Sequence, residues 1–573
     1  MTPAAAPGVR SSRVLLGLAA VAVAFAAADT YVVVLALPDM MVTVGLGIDE
    51  LQRAAPIVSG FLLGYVAMLP LIGRIADVRG RVPVLVASLI VFALGSMVTA
   101  LAFDLPSIVA GRFLQGVGGG GLVPATLALV ADLYPADRRA VPLGVISAVQ
   151  EVGSVLGPLY GAVVLAVADW EWIFWLNLLF GLALAVALAR LGRESAGAPA
   201  KVRLPDLLSV LLLAVFLATL VLLMAEPERL VSDVTLGAPF VPMLGDSRWT
   251  SQVAVVAGVA LVLLVARTLT TRRPLVDVRD WAGSFRKADP LGAAILAVAL
   301  SGVILAFASA DPEVQVFSPI GPYLLAVSAA AVVLLVWHLR RAANPLIPRG
   351  ALRERSAWGS LVVSFFVGAS LIAALVDIPI YARLTTYRDS QLLAALVLLR
   401  LLVAIPVGAV AGGYATRRFS PGVVTATGMV LSAAGFAWMS TWGKTSLENP
   451  VVTIPLLLTG LGFGLALAPV NTALLAATES AVHGVASALV VVARMIGMLV
   501  GISALTTVGL RRYFQELRKD PTEEIAAAVV QTQAIFLGAA VCAVLAALLA
   551  VALLRRPGTS TGLIPADRAR PVV

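Results

Sequence analysis

The chain has 573 residues, of which 60% are hydrophobic, and its mean hydropathy is +0.99. This composition excludes a soluble domain, and repeated long apolar runs indicate a polytopic helical membrane protein. The formal net charge of +9 does not indicate a nucleic-acid partner, because the basic residues lie in short loops between the apolar runs. The single cysteine, Cys542, excludes an intramolecular disulfide and a cysteine-rich metal site.

Apolar segments near the roughly 20 residues that span a bilayer follow one another along the whole chain. They cover 14–37, 55–73, 83–103, 106–130, 140–167, 171–190, 205–225, 251–268, 289–309, 319–339, 357–382, 391–415, 421–441, 452–476, 484–510 and 530–554. We interpret the first as a retained helix rather than a signal peptide, because Asp29 interrupts its apolar run. The sequence therefore predicts an all-α membrane protein with about sixteen transmembrane helices.

Arginine clusters recur in alternate loops and predict the orientation of the chain. They include Arg74 with Arg79 and Arg81, Arg138 with Arg139, Arg340 with Arg341, Arg417 with Arg418, and Arg555 with Arg556. By the positive-inside rule this side faces the cytoplasm, and an even number of crossings places both termini there. The expected location is the bacterial inner membrane.

The four central segments resemble an internal duplication. The stretch LPDLLSVLLLAV…TRRPLVDVRDW parallels ADPLGAAILAVA…RAANPLIPRGALR, each a helix pair closed by a basic, proline-containing loop. Chance similarity between apolar sequences is the alternative. Without these segments, six helices remain on each side. We therefore predict an N-terminal six-helix transport domain at 1–204, inserted helices at 205–356 and a C-terminal six-helix transport domain at 357–573.

The last two segments are predicted to form a long helical hairpin. No proline interrupts 484–520, and Asp520-Pro521-Thr522-Glu523-Glu524 has the pattern of a helix start with an N-cap. A helix of ~35 residues is roughly 50 Å long, more than the ~30 Å hydrocarbon core. The hairpin near 505–530 should therefore project beyond the outer leaflet, which accounts for the basic residues found there.

Three acidic residues, Asp29, Glu151 and Asp377, lie inside membrane-length apolar segments. A charged side chain at the bilayer centre costs roughly 2.5–3.5 kcal/mol on insertion scales. Such residues usually face a bundle interior or a wet cavity, where protons, ions or substrates move. The transport chemistry is therefore expected on a few embedded residues.

Several motifs resemble those of the major facilitator superfamily. The loop Gly73-Arg74-Ile75-Ala76-Asp77-Val78-Arg79-Gly80-Arg81 matches its loop signature at Gly73, Asp77, Gly80 and Arg81, with Val78 in place of the usual arginine. In that family the motif acts as a conformational latch.

Two further motifs are similar to those of the proton-coupled exporters in this superfamily. Arg112-Phe113-Leu114-Gln115-Gly116 matches R-x-x-Q-G, and Arg112 is an embedded cation that needs a partner. Gly153, Gly157, Pro158 and Gly161 match the antiporter motif, which in the family forms a glycine-rich face that packs between the two halves. Asp29 with Ala36, Leu37 and Pro38 resembles the first helix of drug:proton antiporters with more than twelve helices.

The runs DTYVVV, QEVGSVLGPLYG, ALVDIPIYA and VVVARMIGMLVG give a fuller resemblance to the mycobacterial triacylglyceride and multidrug exporters of this branch, which work with a lipid-binding lipoprotein. It implies two six-helix domains that rock around a midplane cavity, a proton gradient as the driving force and no cofactor. Asp29 and Glu151 are the predicted coupling carboxylates, with Asp377 and Arg494 as the candidates in the C-terminal half. A structural ion pair is the alternative role. Arg417 and Arg418, after Gly412-Gly413, are candidates for a C-terminal gate.

The predicted function is proton-coupled export of triacylglyceride-like lipids or hydrophobic compounds by a monomer, with a periplasmic lipid-binding lipoprotein as partner. The alternative is multidrug:proton antiport without a physiological lipid substrate. A membrane enzyme or receptor would need a metal cluster, a nucleophile with its base or an appended soluble domain, and the sequence has none of these patterns. The glycine run 116–121 lacks the Lys-Ser/Thr ending of a phosphate-binding loop, which argues against direct ATP drive.

Overall fold

The structure is a computed structural model that describes residues 9–46, 51–135, 138–195, 206–233, 235–245, 247–271, 274, 277–308, 320–388, 390–520 and 522–554. Within these ranges the regular secondary structure is helical, apart from one isolated bridge between Pro242 and Ser251. The helices form two bundles of six, and further helices from the middle of the chain pack beside them.

The first bundle contains six helices. They are α1 (Val9–Thr43), α2 (Leu51–Arg79), α3 (Arg81–Ala100), α4 (Leu105–Leu133), α5 (Ala140–Leu165) and α6 (Glu171–Ser195). Gly80 has a φ of +100°, a conformation that favours glycine, and it allows the tight turn between α2 and α3. Helix α4 begins with a capping box, in which the Asp104 carboxylate accepts from the Ser107 amide at 2.8 Å.

The middle of the chain adds two helix pairs and two shorter helices. They are α7 (Leu207–Ala225), α8 (Glu228–Val231), α9 (Gln252–Thr270), α10 (Val278–Lys287), α11 (Pro290–Ala308) and α12 (Gly321–Arg341). Helix α7 pairs with α9, and α11 pairs with α12 and packs on α2. The Asp206 carboxylate at the start of α7 lies 2.8 Å from the Arg267 guanidinium on α9. Likewise, Asp289 before α11 lies 2.8 Å from His338 on α12.

These two polar contacts bear on the predicted duplication. Asp206 and Asp289 occupy matching places in the two parallel stretches of sequence, and each pairs with a side chain near the end of the second helix of its unit. Chance similarity of apolar sequence would not place equivalent polar contacts at equivalent positions. The shared contacts therefore favour a repeated structural unit.

The second bundle repeats the arrangement of the first. Its helices are α13 (Arg355–Thr385), α14 (Gln391–Ala415), α15 (Pro421–Met439), α16 (Thr453–Ala476), α17 (His483–Leu517) and α18 (Glu524–Leu553). Helix α5 packs along α1 in the first bundle, and α17 packs along α13 in the second. Between the bundles, α2 contacts α17 and α5 contacts α14.

Each apolar segment of the sequence overlaps one of these helices. By length and hydropathy, 13 helices in the described residues could cross a membrane, or up to 14 if the bent pair α10–α11 is one span. Helices α1 and α5, with 35 and 26 residues, lie outside that count. The number of about sixteen crossings therefore stays a prediction.

The last two helices form a hairpin, as the sequence predicts. Helix α17 has 35 residues, which corresponds to ~52 Å at 1.5 Å per residue. The predicted N-cap at Asp520 is wrong, since α18 begins at Glu524 and its N-cap residue, Glu523, makes no side-chain cap hydrogen bond. Instead, the Asp520 carboxylate accepts from the Thr522 hydroxyl at 2.6 Å, and this bond lowers the pKa of Asp520.

Candidate functional site

Asp29 is at the centre of a buried polar network inside the first bundle. Its carboxylate, on α1, lies 2.7 Å from the Arg112 guanidinium on α4. The Asn177 side-chain amide on α6 donates to the same carboxylate at 2.5 Å. Gln115, one turn after Arg112, accepts from Arg112 at 2.8 Å and donates to the Ser96 hydroxyl at 2.8 Å. Side chains from four helices, α1, α3, α4 and α6, therefore form this network.

The surroundings of Arg112 explain how a cation is held in an apolar bundle. Its side chain is 1% exposed, and its guanidinium carbon lies 4.5 Å from the ring centre of Phe61 and 5.7 Å from that of Phe174. Aromatic faces attract a cation that has lost its water. Together with the carboxylate, these rings offset part of the desolvation cost of the guanidinium.

Sequence reasoning identified Asp29 and Arg112 but missed Asn177 and Ser96. Both are polar residues within apolar runs, WLNLLF and LGSMVT, so the signal that identified Asp29 was present in a weaker form. An amide or hydroxyl in a transmembrane helix is common enough that only its neighbours show its role. The neighbour of Asn177 is Asp29, which is 148 residues away in the chain.

A cavity lies between the two bundles and is lined by both. The cavity is narrow, with a volume of about 50 Å³. Most of its wall is apolar, and the polar side chains are few; the lining residues include Val23, Ala26, Ala27, Tyr65, Val123, Gln150, Ser154, Leu371, Leu375, Val491, Arg494, Met495 and Met498. An apolar wall with few polar groups suits a hydrophobic substrate better than a sugar or an inorganic ion.

The other predicted coupling residues have different outcomes. The side chains of Glu151 and Pro158 lie outside the described residues. Gln150 and Ser154, which flank Glu151 in α5, line the central cavity, as does Arg494 from α17. Asp377 is buried in α13, and within the part of the chain that the structure describes it makes no ion pair with Arg494 or any other cation.

The loop motif, where the sequence predicts a latch, bridges the two bundles at the end of the molecule where α2 and α17 meet. The Asp77 carboxylate accepts from the backbone amides of Gly484 and Val485, at 2.8 and 3.1 Å, and lies 3.0 Å from Arg81. Arg81 also donates to the Ser480 carbonyl at 3.2 Å. Because Gly484 and Val485 begin α17, the carboxylate faces the positive end of that helix.

Glycine permits this close approach. A Cβ at Gly73 would lie 2.6 Å from the Gly484 carbonyl oxygen, closer than real Cβ atoms come. A related contact joins α14 to α5, where a Cβ at Gly413 would lie 2.6 Å from the Ala140 carbonyl oxygen. We call this end of the molecule, with the contacts α2–α17 and α5–α14, the latch end.

Arg417 and Arg418, predicted as a gate of the C-terminal half, follow α14 at the latch end. Both are exposed, and the Arg417 guanidinium carbon lies 4.9 Å from the ring centre of Tyr414. The acidic residue of the loop motif is replaced here by Thr416, whose hydroxyl donates to the Gly413 carbonyl at 2.8 Å. The two bundles therefore differ at this point, since Asp77 bonds to a helix of the opposite bundle and Thr416 bonds within its own helix.

The antiporter-motif glycines pack differently from the expectation. Gly153, Gly157 and Gly161 face α1 of their own bundle, where added Cβ atoms would meet Ala24, Ala28 and Val32. The glycine face therefore does not pack between the two halves. The neighbouring bundle instead meets α5 near Gly144, where a Cβ would lie 2.5 Å from the Ala409 carbonyl oxygen.

No group of three or more histidine, cysteine, aspartate or glutamate side chains suited to a metal ion occurs among the described residues. The arrangement of these residues supports a change in the relative positions of the two bundles. A carboxylate that exchanges a proton or a partner would change the balance between bundle arrangements.

Comparisons with known proteins agree with this fold. Residues 19–502 match the family described as Major Facilitator Superfamily. A triacylglyceride transporter of Mycolicibacterium hassiacum is 35% identical over 523 residues, which are 89% of this chain and 82% of the relative. A triacylglyceride transporter of Mycobacterium tuberculosis is 33% identical over 521 residues, 88% of this chain and 84% of the relative.

Two solved structures share the fold at low sequence identity. The human organic anion transporter MFSD10 aligns with a TM-score of 0.52 and 16% identity, covering 94% of this chain and 99% of that one. The proton:xylose symporter XylE aligns with a TM-score of 0.51 and 14% identity, covering 94% of each chain. Since the family pattern extends over most of the sequence and the two-bundle fold encloses a central cavity, this chain belongs to the Major Facilitator Superfamily and is a multi-pass membrane transporter rather than an enzyme.

Proposed function

We propose that this chain exports triacylglyceride-like lipids across the bacterial inner membrane and is driven by the proton gradient, with Asp29 as a coupling carboxylate. The observation that carries the proposal is the buried network in which Arg112, Asn177 and Gln115 surround that carboxylate. A buried ion pair is expensive to maintain and is weak evidence for stability. A transporter gains from it if protonation of Asp29 releases Arg112 and favours another arrangement of the bundles.

The lipid substrate is supported by the cavity and by the relatives. The cavity wall is mostly apolar, with Leu371, Leu375, Val491 and Met498 from the second bundle. Relatives that align over 88–89% of this chain are named triacylglyceride transporters. We further propose that the latch end faces the cytoplasm, because its loops carry the arginine clusters, and that the protein acts as a monomer with a periplasmic lipid-binding lipoprotein.

The test is transport by purified protein in vesicles with an imposed pH gradient. Wild type and two variants, Asp29→Asn and Asp39→Asn, would be compared with a fluorescent triacylglyceride and with a cationic dye. Asp39 is the matched control because it is an exposed acid on the same helix. Asn177 and Gln115 can still bond to an asparagine, but an asparagine cannot take up a proton.

We expect gradient-driven lipid movement by wild type and Asp39→Asn, and movement without gradient dependence by Asp29→Asn. Equal gradient dependence in all three proteins would remove Asp29 from the coupling mechanism. Gradient-driven movement of the dye but not of the lipid would instead make the chain a multidrug:proton antiporter.

A further inference from the structure

Helix α10 is a short amphipathic helix between the two inserted helix pairs. Trp281 and Ser284 on one face are half-buried and buried, whereas Arg279, Arg286 and Lys287 are exposed. The helix packs on α2, and the guanidinium carbon of Arg79, the last residue of α2, lies 4.4 Å from the centre of the Trp281 ring. Arg79 lies two residues after Asp77 in the same motif, so α10 contacts the end of the helix that carries the Asp77 carboxylate.

The C-terminal ends of α10 and α12 converge on one buried carboxylate. Asp289, two residues after Lys287, lies 2.8 Å from His338 near the end of α12. It also accepts from the amides of Gly292 and Leu346 at 2.9 and 2.8 Å. Within the described residues, the buried Asp289 carboxylate therefore contacts a histidine and two backbone amides rather than a lysine or an arginine.

Five cations lie on the segments that meet here, and we call them the basic junction: Arg286, Lys287, Arg340, Arg341 and Arg349. Each is exposed, and none makes an ion pair with a carboxylate in the described part of the chain. The Arg349 guanidinium donates to the Arg340 carbonyl at 2.6 Å, which brings the loop after α12 to the same place. Exposed aromatic rings adjoin the cations, since Phe285 is 43% and Trp337 51% exposed.

We propose that the basic junction binds the headgroup of an anionic phospholipid in the adjacent leaflet, and that the bound lipid holds α10 on Arg79 and so favours the closed latch. The charge is complementary to a lipid phosphate, and basic pockets between transmembrane helices are suited to such headgroups. Exposed aromatic rings beside cations are typical of a membrane interface. A helix with an apolar and a basic face lies in that interface plane.

The first test is lipid binding by the full chain, measured by native mass spectrometry with phosphatidylglycerol and phosphatidylcholine as probes. The variant Arg286→Gln/Lys287→Gln would be compared with Arg511→Gln/Arg512→Gln, which removes the same charge from exposed residues near the end of α17. Wild type and the control should retain phosphatidylglycerol in preference to phosphatidylcholine. The junction variant should bind phosphatidylglycerol on the order of tenfold more weakly, because each cation near a lipid surface contributes measurably. Equal binding by both variants would overturn the site.

The second test asks whether the lipid acts on the latch. Hydrogen exchange at Gly484 and Val485, whose amides donate to Asp77, would be followed in nanodiscs of phosphatidylcholine with and without phosphatidylglycerol. We expect phosphatidylglycerol to slow this exchange in wild type. Trp281→Ala should still bind the lipid but lose that slowing. Wild-type exchange that is indifferent to phosphatidylglycerol would overturn the link between the basic junction and the latch.

Discussion

Single residues show how a charge is kept in this protein. Asp29 and Arg112 are both buried, and their contact of 2.7 Å offsets part of the desolvation cost of each charge. Asn177 and Gln115 satisfy further lone pairs of the carboxylate. In a low-dielectric interior the cost of separating such a pair falls mainly on the charge that is left behind.

The first prediction compares the loss of one partner of the ion pair with the loss of both. Arg112→Gln should lower stability strongly, since removal of one partner from a buried ion pair costs about 3–5 kcal/mol. Adding Asp29→Asn to Arg112→Gln should recover much of that loss, because no uncompensated charge remains. Thermal unfolding of the purified single and double variants measures both effects. A double variant no more stable than Arg112→Gln would mean that the carboxylate is not destabilised by loss of its partner.

At the scale of helices, glycine determines how closely neighbours pack. Gly153 and Gly157 bring α5 against α1, and Gly497 and Gly501 bring α17 against α13 in the same way. Close backbone approach is a main source of helix association where lipid removes the hydrophobic driving force. The first and fifth helices of each bundle therefore pack against each other in the same way, through glycines on the fifth helix.

The second prediction tests that packing with a single methyl group. Gly157→Ala should lower the thermal stability of the purified protein, because the new Cβ would overlap the Ala28 carbonyl oxygen and α5 must move away. Gly17→Ala is the matched control, since nothing lies within 4 Å of a Cβ at that position. If both substitutions have the same effect, close α1–α5 packing does not limit stability.

The hairpin of α17 and α18 is also an element with its own contacts. Lys444, after α15, pairs with Glu523 just before α18, and Gln533 donates to the Trp442 carbonyl at 2.7 Å. The first contact joins the tip of the hairpin to the loop after α15, and the second joins a position further along α18 to the same loop. The tip beyond Arg512 carries exposed charged residues, among them Arg518 and Lys519.

The third prediction concerns that tip. Replacing 512–526 by a short flexible turn should leave the cavity and the Asp29 network intact. We expect such a protein to keep gradient-driven dye movement in vesicles but to deliver less triacylglyceride to an added lipid-binding lipoprotein. Lipid delivery equal to that of wild type would show that the tip has no part in hand-over.

At the scale of the whole molecule, the sequence predicts most of the helices and part of the site. Apolar length is a local property, so the positions of the segments could be inferred directly. Asp29 and Arg112 were identifiable because a charge in an apolar run is costly wherever the chain folds. The contacts of Asn177, the Asp289–His338 pair and the stacking of Arg79 on Trp281 depend on which helices become neighbours, and no local pattern specifies that.

At the latch end, the contacts of a single side chain join the two bundles to each other. Asp77 receives two amide hydrogen bonds from α17, and both cross from one bundle to the other. Asp132 also lies near Arg81, at 3.3 Å, but it belongs to α4 of the same bundle. The two carboxylates share a partner and differ in whether they bridge the bundles.

The fourth prediction uses that difference. Asp77→Asn should weaken the closed latch and increase the population open at that end, since charge-assisted bonds to a helix N-terminus are lost. Asp132→Asn, which removes an equal charge near Arg81, should change that population much less. The measurement is the labelling rate of Leu375→Cys, which lines the cavity, with an impermeant maleimide added at the latch end in a Cys542→Ser background. Faster labelling confined to Asp77→Asn would make the amide contacts to α17, rather than the charge around Arg81, the feature that keeps the bundles closed. Equal rates in both variants would assign closure to the wider α2–α17 and α5–α14 packing instead.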